Sequence, residues 1–244
     1  MARRNKFEAP RATEKAYERQ LRKVARVVGD IVEPYLDGST IPDLPRMLTA
    51  LRNYADALGP WATRQAEDML RKVSSHNRRA WLSDQPKFNK AYRATRADTA
   101  AGREAARLLN EQVTLIKSLP LKAGERAQQL ATEGTSTGRR AEEVAQELLR
   151  TGEVTQSRAM LIARTEIAKA NSTLTQARSQ AVGSSSYIWR TAGDEAVRES
   201  HAEMEGQVVR WDSPPTLSDG TTTHAGQIYN CRCFAEPIFT DLVD

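Results

Sequence analysis

Met160, Ala163, Ile167, Ala170, Leu174, Ala177 and Ala181 recur at alternating spacings of three and four residues, the step of one face of an α-helix. The run predicts a helix over about 155–181, with alanines that let a neighbouring helix approach closely. The same step appears near the start, where Tyr17, Leu21, Val24, Val28, Ile31 and Tyr35 lay an apolar stripe on a helix over about 11–35. Gly38 and Pro42 punctuate it, and Pro45 opens a second helix carrying Met47, Leu48, Leu51, Ala55 and Leu58. Gly59-Pro60 ends that helix, 61–73 reads as a third, and 76–88 as a turn or short helix.

Residues 90–118 are helix-permissive, with Ala105, Leu108, Leu109, Val113 and Ile116 on the later apolar face. Pro120 is expected to start a new segment, because proline inside a helix removes a ladder hydrogen bond. Short helices over about 121–132 and 139–150 follow, divided by Gly134-Thr135-Ser136-Thr137-Gly138. Stripes this narrow suit a chain with 39% hydrophobic, 6% aromatic and 27% charged residues, in which long helices keep wide solvated faces and draw part of their stability from partners.

Beyond Gly183-Ser184-Ser185-Ser186 the pattern changes. Tyr187-Ile188-Trp189-Arg190-Thr191 and Gln207-Val208-Val209-Arg210-Trp211 have the β-branched and aromatic content of strands, with a short helix between them. The expected fold is therefore mainly α, an elongated helical body with a small C-terminal α+β module. Its divisions are a basic helical body over 1–150, a long connecting helix over 151–183, and the module over 184–244.

Charge divides along the same axis. Residues 1–110 hold 22 Lys/Arg against 13 Asp/Glu, whereas 181–244 hold 4 against 10. A basic front and an acidic tail imply two surfaces with different partners. Arg3, Arg4, Lys6, Arg11, Arg22, Lys23 and Arg26 are the candidates for contact with nucleic acid or an acidic protein ring, and a solvated helix face is the plainer reading of the same residues. No run of about 18 apolar residues occurs, and charged residues stand where a signal peptide would place its apolar stretch. A protein made and used in a cytosol, with no membrane partner, is expected.

The module is small enough to need a staple. Cys231 and Cys233 are its two cysteines, one residue apart, which excludes a disulfide framework tying distant segments. With His201 and His224 they make the ligand set of a structural zinc site, the one cofactor the composition points to. The other readings are a buried thiol pair that packs like small hydrophobes, and a thiol–imidazole pair of a hydrolase oriented by Asp194, Glu199 or Glu203. Asp194 is expected to cap a helix over 195–205 that turns Val197, His201 and Met204 to one side. No phosphate loop or dinucleotide fingerprint is present.

Read in order, the elements are Ala163-Arg164-Thr165-Glu166, Trp189-Arg190-Thr191, Asp194-xx-Val197-Arg198-xx-His201-xx-Met204-x-Gly206, Pro214-Pro215, and Gly226-Gln227-xx-Asn230-Cys231-Arg232-Cys233. This set resembles the signature of phage Mu F-like head morphogenesis proteins, over about 155–237. Trp189, Asp194, Arg198, His201, Gly206, Asn230, Cys231 and Cys233 carry the motif. The resemblance implies a low-copy minor head protein of a tailed double-stranded DNA phage, a virion component and not a catalyst. Such a protein would be associated with the portal vertex and act in capsid assembly, DNA packaging or ejection. It further implies the portal protein, other head proteins and packaged DNA as partners, and residence in the virion after assembly in the bacterial cytoplasm.

Overall fold

The computed structural model describes residues 5–36, 43–83, 92 and 97–238. The chain is mainly helical with a small antiparallel sheet at its C-terminal end. The helices are α1 (Arg11–Val32), α2 (Leu44–Ala57), α3 (Gly59–Leu82), α4 (Ala97–Thr137), α5 (Ala141–Leu149), α6 (Thr151–Ala181) and the single turn α7 (Glu199–Ala202). The strands are β1 (Ser186–Arg190), β2 (Val208–Arg210) and β3 (Phe234–Pro237), in the order β2-β1-β3. The punctuation at Gly38 and Pro42 and the end of the 76–88 segment lie outside the described residues.

Two compact units emerge, one from residues 1–14, 67–109 and 164–244, the other from 15–66 and 110–163. In the second unit α1 behaves as its stripe requires. Tyr17, Leu21, Val24 and Val28 are buried, and a 3-10 turn (Glu33–Tyr35) containing Pro34 closes the helix. Val28 and Val32 join Met47, Leu51, Ala123, Ala127, Leu130, Val144 and Leu148 in one core. Asp43 caps α2 by accepting the Arg46 N–H, and Pro45 stands in its first turn.

The expected break at Pro120 does not occur. Helix α4 runs straight through it, with Ile116, Leu119, Ala123 and Ala127 all buried along one side. An interior proline costs about 3 kcal/mol, and burying several apolar side chains on the same stripe more than offsets that. The 76–82 stretch is likewise ordinary helix, the last two turns of α3.

Helix α6 departs most from its stripe. Ala163, Ile167, Ala170 and Leu174 are buried as expected, but Met160 is exposed. Thr165, Asn171, Ser172, Thr175, Arg178 and Ser179, which a two-sided helix would show to water, are buried as well. Between about 162 and 179 the helix is enclosed nearly all round, so its polar side chains must find partners inside the protein.

In the first unit those partners are at hand. Asn77 Nδ2 donates to Thr175 Oγ1 at 2.7 Å, and Asn171 Nδ2 donates to the Phe7 carbonyl at 2.7 Å. Phe7 meets Trp81 edge-on at 5.7 Å, and both belong to a core with Tyr92, Ala97, Val182 and Phe234. Through Phe234 of β3 the module is packed onto the helices of its own unit.

The sheet is built around β1, whose inward residues Tyr187 and Trp189 alternate with Ser186, Ile188 and Arg190. Tyr187 stands opposite Val209 on one side and Pro237 on the other, and Trp189 opposite Ala235. The strands expected at 187–191 and 207–211 are present. The third, Phe234-Ala235-Glu236-Pro237, is too short and mixed to announce itself, and forms because β1 offers it a free edge beside the aromatic core.

Candidate functional site

The motif residues converge on one corner of the module. Helix α6 supplies Thr165, whose Oγ1 accepts the Asn230 N–H at 3.0 Å, and Arg164, whose guanidinium donates to Asn230 Oδ1 at 3.3 Å. Asn230 sits at φ 54°, in the left-handed region that asparagine tolerates better than most residues. This turn delivers Cys231-Arg232-Cys233 to the interior.

Gly226, at φ 78°, is needed at the preceding bend: a Cβ there would lie 2.7 Å from the Cys233 carbonyl oxygen and 3.3 Å from Ser172 Cβ. Ser172 Oγ meanwhile donates to the Ala225 carbonyl at 2.6 Å, and Gln176 Nε2 to the Trp211 carbonyl at 3.2 Å. Polar groups of α6 thus help to hold the module down, beside the packing of Phe234.

On the other side, Asp194 accepts from the Ala196 N–H and from both terminal nitrogens of Arg232. The carboxylate closes a local turn instead of capping a long helix, so the expected helix over 195–205 reduces to the one turn of α7. That turn still points His201 inward. Arg198 donates to the Tyr229 carbonyl at 2.9 Å, Ser200 to Asp219 at 2.8 Å, and Glu205 accepts from the N–H and hydroxyl of Thr191. Gly206 returns the chain to β1 by donating to the Trp189 carbonyl at 2.9 Å.

At the centre His201, Cys231 and Cys233 are 2%, 3% and 5% exposed. Both sulfurs stand 3.4 Å from His201 Nδ1, and the three donor atoms lie within 4.8 Å of one another. The Cys233 N–H points at Cys231 Sγ, 3.3 Å away. The thiols influence each other strongly: the hydrogen bond from Cys233, aided by His201, favours ionisation of Cys231, while the Cys231 sulfur and burial push Cys233 up. Trp189 meets the His201 ring edge-on at 5.7 Å.

His224 is not among the gathered donors. Its Nδ1 lies 3.1 Å from the Tyr187 hydroxyl, which also accepts the Ala225 N–H at 3.3 Å. A tyrosine that accepts from the backbone and donates to the ring leaves His224 Nδ1 as the acceptor, and burial lowers the pKa of this histidine. It belongs to the aromatic core beside Tyr187 and Trp211.

Of the basic candidates, Arg3 and Arg4 lie outside the described residues. Lys6 stands 5.4 Å over the Phe7 ring, Arg11 pairs with Glu8 and Arg22 with Glu18, while Lys23 and Arg26 are exposed on α1. A feature that spacing alone did not reveal is Arg178, 1% exposed in the first unit. Its guanidinium donates to Tyr92, Asn77, Ser74 and Asp98. Burial and the Asp98 hydrogen bond push the Tyr92 phenol up to about 12, so it stays a neutral member of the network.

Fold and centre together define a helical protein whose small α+β module is gathered around a buried histidine and a Cys-x-Cys turn. Residues 125–236 match the family described as Phage Mu protein F like protein. A 71-residue stretch is 45% identical to an uncharacterized protein of Haemophilus influenzae (strain ATCC 51907 / DSM 11121 / KW20 / Rd), covering 29% of this chain and 15% of that protein. The chain therefore spans a small part of that relative. No solved structure matches it.

Proposed function

We propose that the protein is a minor head protein of a tailed double-stranded DNA phage, acting in head morphogenesis at the portal vertex and carried in the virion in few copies. The observation that supports this reading is the family match over 125–236, whose region includes Arg164, Thr165, Asp194, Gly206, Gly226 and Asn230, the residues that shape the module. The portal protein and other head proteins are its proposed partners. The module serves as a docking unit, and the role is one of assembly, not catalysis. The space beside the thiols is about 50 Å³, enough for a water-sized group and far below what a substrate of a hydrolase would fill. No helix among the described residues is long and apolar enough to cross a membrane.

A second reading, contact with packaged DNA, is supported by exposed Lys23 and Arg26 on a helix whose sequence neighbourhood is basic. Such binding would be directed at phosphates, insensitive to sequence and weakened by salt.

Quantitative mass spectrometry of purified particles, with electron microscopy of tagged virions, tests the leading reading. A few copies beside the portal are expected, and absence from mature and immature particles alike would overturn it. Gel shifts on the purified chain across a salt series test the second, which fails if no complex forms even at low salt.

A further inference from the structure

We infer that His201 Nδ1, Cys231 Sγ and Cys233 Sγ hold one zinc ion as a three-residue site whose fourth position is taken by water. The inference is independent of any role in the phage head and rests on the geometry of the centre.

A ring nitrogen carries either one proton or one lone pair, so it can make a linear hydrogen bond to only one of two sulfurs; here both approach Nδ1 at the same 3.4 Å. A single cation between the three atoms satisfies all of them. With zinc–sulfur bonds of about 2.3 Å and a zinc–nitrogen bond of about 2.0–2.1 Å, a tetrahedral centre sets sulfur and nitrogen about 3.6 Å apart, close to the separations found.

Charge agrees. Two thiolates and a neutral imidazole cancel the dication, leaving a cluster that can be buried where two free thiolates could not. The Cys233 N–H directed at Cys231 Sγ supports a thiolate at that position. Arg232, held by Asp194, and Arg198, held by the Tyr229 carbonyl, border the same space and favour negative sulfur.

The fourth position follows from what is missing and what is present. No further His, Cys, Asp or Glu among the described residues joins the cluster, and His224 is committed to Tyr187. A cavity of about 50 Å³ adjoins His201, Cys231 and Cys233, with Val197, Arg198 and Arg232 at its border. One water in the liquid occupies about 30 Å³, so the space admits a water and little more.

The full chain, purified and loaded with zinc chloride, is expected to retain one zinc per chain after desalting. X-ray absorption at the zinc edge should then show two sulfur neighbours at about 2.3 Å and two lighter ones. Loaded with cobalt chloride, it should show a sulfur-to-cobalt charge-transfer band with the strong visible absorption of a tetrahedral centre. C231S and C233S should each lose most of that band and weaken binding by more than about 100-fold, beyond what loss of a supporting contact does, whereas H224Q should keep it.

Absence of retained zinc and of the cobalt band in wild-type protein that is folded by circular dichroism overturns the assignment. So does a zinc edge with fewer than two sulfurs, a reading that needs no variant to fold. Loss of the band in folded H224Q would overturn the three-residue site by returning His224 to the ligand set.

Discussion

The backbone N–H of Asn230 donates to Thr165 Oγ1 at 3.0 Å, joining the turn that presents the cysteines to a helix 65 residues earlier in the chain. The bond explains why two distant short motifs, Ala163-Arg164-Thr165-Glu166 and Asn230-Cys231-Arg232-Cys233, belong to one pattern. Thr165→Val, which keeps shape and removes the acceptor, is expected to destabilise the protein by about 1–2 kcal/mol in urea unfolding. Asn230→Ala should cost about 1 kcal/mol or more through its positive φ, and Asn230→Gly less. Equal effects of the alanine and glycine variants would show that backbone conformation is not what selects asparagine.

Gly226→Ala should be worse tolerated than either. Its Cβ would meet the Cys233 carbonyl oxygen at 2.7 Å on a backbone already at φ 78°, and the obstacle is main chain that cannot rotate aside. A loss of about 2–3 kcal/mol is expected, read as a lower thermal midpoint together with changed near-ultraviolet dichroism from Trp189 and Trp211. A midpoint equal to wild type would mean that the bend opens freely.

Arg178→Met tests the buried network of the first unit. The substitution keeps much of the side chain's bulk but strips Asn77, Tyr92 and Asp98 of a shared donor, and a loss of about 3–5 kcal/mol is expected in denaturant titration. Arg178→Lys should recover little of it, because one ammonium cannot serve partners arranged around a planar fork. Full stability in the lysine variant would refute the geometric account.

Acid should loosen the module through His224. Burial depresses its pKa below 6.5 and a hydrogen bond with the Trp211 backbone offsets only part of this, so the unfolded chain takes up the proton first. The neutral ring's contribution is then complete above 6.5 and is lost as the pH falls through the depressed folded value. Stability measured by thermal unfolding should decline as the pH falls below about 6.5, and His224→Gln should flatten that part of the curve. An unchanged slope in the variant would assign the acid sensitivity elsewhere.

Local pattern determined a good deal by itself. The three-and-four spacing of Tyr17, Leu21, Val24 and Val28 located the buried face of α1, since a helix of that period must turn those residues to one side. The β-branched and aromatic content of Tyr187-Ile188-Trp189-Arg190-Thr191 located β1, and the resemblance carried by Asn230-Cys231-Arg232-Cys233 is matched by the family found over 125–236.

Only tertiary structure could decide the rest, because the deciding groups come from distant parts of the chain. Pro120 stays inside α4 because core residues from other helices cover its stripe, and Arg178 is buried because Ser74, Asn77, Tyr92 and Asp98 surround it. His224 and His201 look alike in sequence, yet Tyr187 claims one and the cysteine turn the other. Spacing reports which face a residue occupies, whereas the partner that waits on that face is fixed by the packing of elements the spacing does not see.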